Sequence, residues 1–162
     1  MILRNWHYVL LIISTFSITV ALVAEYYFNL QPCELCLKQR HPYYFFILMC
    51  LIIVFIPKFI KFYFYLLIQI ASIYGIFYSL WHVGVENKVL QGPQGCSTGL
   101  SLSNNTSELK EQIFSKQVIS CDEVIWSFFG ISAATINTLV LLFIFTINAL
   151  YIYRYYGKKE KK

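Results

Sequence analysis

Long stretches without a single charged side chain limit what this chain can become. Residues 5–24, 62–81 and 124–153 carry no charge, and 41–57 carries none when His41 is neutral. A bilayer's hydrocarbon core is about 30 Å thick, so about 20 apolar residues in a helix cross it. Hydrocarbon offers no partner to a free peptide group, so each stretch must be helical, and the alternating pattern of a membrane strand is missing. Composition agrees. Of 162 residues, 58% are hydrophobic and only 13% charged, against about a quarter charged in a soluble domain. The expectation is a single-domain, all-α membrane protein: an antiparallel four-transmembrane-helix bundle with two non-cytoplasmic loops. The expected spans are residues 6–26, 41–57, 62–81 and 130–151. The second is short and begins beside Pro42, and a helical turn starting near Cys33 would lengthen it. A cleaved signal peptide is the other reading of the first stretch. Cleavage after Ala24, however, places Leu22 where a small residue is wanted.

Four spans put both termini and the short 57–61 connection on one side. That side carries Arg4, Lys58, Lys61, Arg154, Lys158, Lys159, Lys161 and Lys162 against a single acid, Glu160. The opposite side carries Lys38, Arg40, Lys88, Lys110 and Lys116 with the other seven acids. Basic residues flanking spans stay in the cytoplasm, so the termini are expected there. The net charge of +5 therefore reflects topology and gives no reason to expect nucleic acid. The two outer loops run over about 27–40 and 82–123. Within the second, residues 107–117 read as a short surface helix.

Cys33 and Cys36 fall in the first outer loop, Cys96 and Cys121 in the second, and Cys50 in mid-span. The four loop cysteines thus lie where disulfides form and persist. With a helix starting at this point, Pro32 sits at its beginning and Cys33 in its first turn, where the partial positive charge favours a thiolate. Residues 33, 36 and 40 then share one helical face, so Arg40 joins the two sulfurs. Such a face suits a redox-active disulfide. A purely structural bridge across so small a loop gains little from chain entropy. Zinc binding by the four cysteines and His82 is a third reading, disfavoured because Cys96 and Cys121 are not at ligand spacing. Cys96 and Cys121 are either a loop staple or a second redox pair. Cys50 reads as an apolar filler. His82, at the outer end of the third span, is a hydrogen-bonding partner, a proton carrier or a polar contact for a cofactor. Glu25 reads as an interfacial acid with Arg40 as an available partner.

Taken together these residues resemble the DsbB family of quinone-coupled, disulfide-generating membrane proteins. Pro32-Cys33-Glu34-Leu35-Cys36-Leu37-Lys38-Gln39-Arg40, followed by Pro42-Tyr43, is similar to the family's P-C-x-L-C-x-x-[QE]-R stretch. His82 falls where the family has a His after span three, and Cys121, Trp126 and Gly130 resemble its C-x-x-x-x-W-x-x-x-G approach to span four. The resemblance implies a bacterial inner-membrane enzyme with catalytic Cys33, Cys36, Cys96 and Cys121. Arg40 and His82 are implied to contact a quinone, either ubiquinone or menaquinone. It also implies a DsbA-like periplasmic thiol oxidase as the partner whose electrons pass through Cys96–Cys121 to Cys33–Cys36 and on to the quinone pool. Residues 90–119 match the family only at the cysteine. Two rivals remain. A vitamin K epoxide reductase-like protein carries its Cys-x-x-Cys after the loop pair, not before it. A non-enzymatic four-span protein with structural loop disulfides leaves Arg40 unexplained.

Overall fold

The computed structural model describes residues 5–57, 60–93, 121, 127–128 and 130–155. Four long helices dominate: α1 (Trp6–Tyr26), α2 (Glu34–Phe55), α3 (Lys61–Glu86) and α4 (Ala133–Tyr155). A minimal antiparallel hairpin of β1 (Ser127–Phe128) and β2 (Ile131–Ser132) leads into α4. Gly130 in its turn has φ +79°, a conformation that disfavours any side chain. The surface helix expected over 107–117 lies outside the described residues, as does Cys96.

Helices α1, α3 and α4 are long and apolar enough to cross a membrane. Helix α2 is not among them, because its first two turns carry Glu34, Lys38, Gln39 and Arg40. The stretch expected as the second span lies within this helix, which starts earlier, at Glu34, and ends at Phe55. Helix α3 likewise outruns the expected 62–81, because no breaker appears before Asn87. It closes with Lys88 in the left-handed region (φ +57°). The Val89 N–H bonds Gly84 O at 2.9 Å and the Lys88 N–H bonds Val85 O at 2.9 Å, a Schellman closure. Leu90 folds back over Gly84, where a Cβ would come within 2.6 Å of Leu90 Cδ1.

Each helix packs on the next, α1 on α2, α2 on α3 and α3 on α4, while α1 and α4 meet only lightly. The result is a bundle with a cleft between its first and last helices. Apolar side chains such as Ile12, Phe16, Phe55, Phe77 and Phe143 point outward, whereas Ser14, Ser72, Ser79, Thr138 and Asn148 are buried. That arrangement suits lipid, where helices associate through small and polar contacts. On α3 the buried Ser72, Gly75, Ser79 and His82 recur at three- and four-residue steps on one face. A Cβ at Gly75 would lie 2.9 Å from Pro42 Cγ, so its bare backbone is what lets α2 approach. At the far end Trp6 Nε1 donates to Asn148 Oδ1 (3.2 Å), and Asn148 Nδ2 donates to Tyr65 O (3.0 Å) and Gln69 Oε1 (2.7 Å). One side chain thus ties α1, α3 and α4.

Candidate redox site

Cys33 is the N-cap of α2, in extended conformation (φ −71°, ψ 168°). The sequence placed it within the first turn; the helix instead begins one residue later, at Glu34, with Pro32 just outside. Its Sγ accepts the Cys36 N–H at 3.3 Å, so a sulfur takes the capping part that an oxygen usually plays. The helix end contributes its partial positive charge to this atom. Cys33 is buried, Cys36 half-buried, and both are free. Their sulfurs are 3.0 Å apart.

The two thiols share protons unequally. Cys33 is held far below the ordinary thiol value of 9.0, to about 4. The Cys36 thiol donating to its thiolate is the largest cause. Burial opposes it, and His82 and the Cys36 N–H assist. Cys36 is pushed the other way, first by that same bond and then by burial and the Cys33 charge. Arg40 exerts only the weakest pull on it. The guanidinium is engaged elsewhere, because Nη1 donates to Glu25 Oε2 and Nη2 to Ala21 O at 3.4 Å. Glu25 and Arg40 thus form the pair foreseen from the sequence and tie α1 to α2.

His82 reaches the cysteines from α3. Its Nε2 lies 3.7 Å from Cys33 Sγ and 3.9 Å from Glu86 Oε1, and its Nδ1 is 2.8 Å from Gln39 Nε2. Gln39 Oε1 accepts from Asn137 Nδ2 (2.8 Å), and Asn137 Oδ1 accepts from Tyr43 OH (2.6 Å). Gln39, Glu86 and Asn137 have no place in the sequence-derived site. Asn137 does leave a sequence signal, a polar side chain within an apolar span, which is costly without a partner.

Cys121 is disulfide-bonded and 1% exposed, and it packs in one cluster with Cys33, Leu35 and Val85. The structure therefore brings a cysteine of the second loop to the first pair. Cys50 is buried away from both, in the main core. Among the described residues, the ligand atoms of Cys33, Cys36 and His82 lie within 4.8 Å of one another. They supply three of the four donors a structural zinc takes.

A cavity of about 340 Å³ opens in the cleft between α1 and α4. Cys36, Gln39, Arg40, His82 and Glu86 are among its polar lining, with Ser17, Gln31 and Asn137, and most of the remainder is apolar. Phe16 and Val20 line it and are also exposed on the outside of the bundle, so the cavity reaches the surface that lipid would cover. Cys33 does not line it.

A membrane-type helical bundle with an unequal thiol pair, an imidazole and a buried disulfide-bonded cysteine in contact defines a class: thiol–disulfide redox proteins of membranes. The sequence model for "Disulfide bond formation protein DsbB" matches residues 3–151. This chain belongs to the DsbB family, whose chemistry is an oxidoreductase one, and the resemblance read at residues 32–40 is confirmed. The chain is also 29% identical over 155 residues to protein RP370 of Rickettsia prowazekii (strain Madrid E), a match covering 94% of this chain and 88% of that one. No solved structure shows significant similarity.

Proposed function

We propose that this protein is a four-span disulfide oxidoreductase of the bacterial inner membrane. It reoxidises a DsbA-like thiol oxidase and delivers the electrons to a membrane quinone. One observation carries the reading: the thiol pair bridges two surroundings. Cys33 and Cys36 both pack in the cluster that holds the disulfide-bonded Cys121, and of the two only Cys36 also lines the cavity. Electrons can then arrive at one sulfur and leave from the other.

In this reading Cys96 and Cys121 form the disulfide that the partner's thiolate attacks. The released Cys121 thiolate attacks Cys33 of an oxidised Cys33–Cys36 pair. The Cys121–Cys33 bond forms, the Cys33–Cys36 bond breaks, and Cys36 leaves as a thiolate in the cavity wall. Two thiols of the partner end as a disulfide, and two electrons with two protons need an acceptor. The cavity fits a quinone. Its volume is within the range of small-molecule sites, a cluster of donors lines its wall beside Cys36, and its mostly apolar remainder reaches the lipid face. A quinone bound there supplies the two-electron, two-proton acceptor. Arg40 would hold a quinone oxygen and offset developing negative charge, and His82 would contribute to the same wall of the cavity with its Nε2–H turned toward Cys33. Ubiquinone and menaquinone both satisfy this chemistry. The apolar part of α2 would serve as the second span, and the Lys/Arg distribution supports cytoplasmic termini with the cysteines outside.

The test is quinone reduction by the purified protein, driven by a reduced DsbA-like oxidase. Wild type turns over, Cys33→Ser does not, and Arg40→Ala has weaker apparent affinity for quinone. A folded wild-type protein that reduces neither quinone class refutes the proposal and leaves a structural four-span protein.

A further inference from the structure

The polar chain behind His82 has a direction, and a backbone carbonyl sets it. Ser79 Oγ lies 3.2 Å from Ala134 O and 2.7 Å from Thr138 Oγ1, and Thr138 Oγ1 lies 2.8 Å from Ala134 O. A carbonyl only accepts. The two hydroxyls therefore place one proton on it and one between themselves. Either way the single proton of Ser79 is used, so toward Asn137, 3.2 Å away, Ser79 can only accept. The Asn137 atom facing Ser79 must be its NH₂. The same NH₂ meets Gln39 Oε1 at 2.8 Å, which turns the other end of Gln39, its NH₂, toward His82 Nδ1 at 2.8 Å. Tyr43 OH supports this by donating to Asn137 Oδ1. The donor and acceptor inventory leaves no alternative that satisfies every contact. Because Nδ1 accepts, a neutral His82 carries its proton on Nε2. That nitrogen faces Cys33 Sγ at 3.7 Å and Glu86 Oε1 at 3.9 Å. Glu86 is prepared as an acceptor, since Ser132 Oγ donates to its other oxygen at 2.6 Å.

We propose that Gln39, aligned by Asn137, is a positioning residue that holds His82 as the Nε2–H tautomer and so presents an N–H to Cys33 Sγ. The inference rests on reading Cys33 and Cys36 as the redox pair. Its consequence is specific. A rotated or Nδ1-protonated ring would turn a lone pair toward the sulfur and repel a thiolate there. The network keeps the donor facing Cys33 in the reduced pair. It does so from inside the bundle, through Gln39 and Tyr43 on α2, Ser79 on α3, and Asn137 and Thr138 on α4. The titratable groups around that sulfur are Cys36 and His82, with Glu86 behind His82 and Arg40, itself paired with Glu25, beside Cys36.

Two measurements test it. The first is ¹⁵N NMR of the reduced full-length protein in micelles, labelled at histidine and with His7 and His41 replaced by Gln. The expected spectrum has a protonated Nε2 and a bare Nδ1. Gln39→Glu should move a proton onto Nδ1, because a carboxylate can only accept there. The second is the pH profile of Cys33 alkylation in a Cys36→Ser background. Gln39→Leu and Asn137→Leu should raise the midpoint by about half a unit or more, roughly a twofold loss of thiolate at the original midpoint. Gln39→Glu should keep it low. A wild-type ring protonated on Nδ1, alone or together with Nε2 throughout the pH range, overturns the proposal. So does a midpoint that ignores Gln39→Leu in a folded protein. Neither readout depends on turnover, so an enzyme that reduces no quinone but shows the expected tautomer sinks only the functional reading.

Discussion

Replacing His82 by phenylalanine should shift Cys33 by a calculable amount. The ring volume is nearly kept and burial of the sulfur is unchanged, so the substitution removes mainly the Nε2–H donor 3.7 Å from Cys33 Sγ. A hydrogen bond to a charged group is worth about 1.5–3 kcal/mol. At this distance the lower figure applies, and at 1.36 kcal/mol per unit it corresponds to about one pKa unit. The Cys36 thiol, the largest single support, remains, with a smaller one from the Cys36 N–H. Cys33 should therefore move from about 4 to about 5 and stay far below an ordinary thiol. The assay is stopped-flow alkylation of the reduced protein between pH 3 and 9. At pH 5 the thiolate fraction falls from about nine-tenths to about half, while at pH 7 the two proteins react alike. A variant midpoint near 9 would mean that His82 carries the whole effect. An unmoved midpoint would mean that it carries none. Either result refutes the apportioning. The sign follows from a depressed acid: its stabilisation of the folded dithiol is complete above about pH 9 and is lost as pH falls through about 4. A disulfide does not titrate. Across that window the thiolate favours the reduced pair, which makes the oxidised pair the stronger oxidant.

Four further outcomes are open to measurement. Glu25→Gln removes the countercharge of Arg40, 14% exposed, and leaves it only neutral acceptors; thermal unfolding in micelles should show a loss of about 1–3 kcal/mol, between exposed and buried pairs. The freed charge should also lower Cys36, and no change in its alkylation profile would count against Arg40 acting there. Asn148→Leu removes three hydrogen bonds, which at about 0.6 kcal/mol each in membrane bundles amount to roughly 2 kcal/mol; a loss below about 0.5 kcal/mol would discount the clamp. Gly75→Ala should destabilise by about 1–3 kcal/mol through overpacking against Pro42 and Leu141, and a gain of about 1 kcal/mol, as helix propensity alone predicts, would contradict the packing. Cys50→Ala should leave quinone reduction intact, and a tenfold drop would show that the core cysteine takes part.

Much of the site was legible before the fold. Pro32, Cys33, Cys36 and Arg40 are neighbours in the chain, so helical spacing alone places them together. The Glu25–Arg40 pair follows from two opposite charges at the same depth. The extent of α2 was less legible, because its polar first turns weaken the apolar signal that marks a span. Gln39 lies inside the motif, yet nothing local says that its amide serves His82.

Uncharged runs, basic flanks and the Cys-x-x-Cys spacing determined by themselves that this chain enters a membrane as helices and carries a thiol pair at one edge. Those are properties of hydropathy and of a single helix, and they need no partner. Tertiary structure alone decided that the thiol pair packs with Cys121 while Cys36 also lines a lipid-facing cavity, and that Asn137, 98 positions beyond Gln39, orients the His82 ring. A buried amide has two chemically different ends, and only the contacts made by packed helices determine which end faces which neighbour.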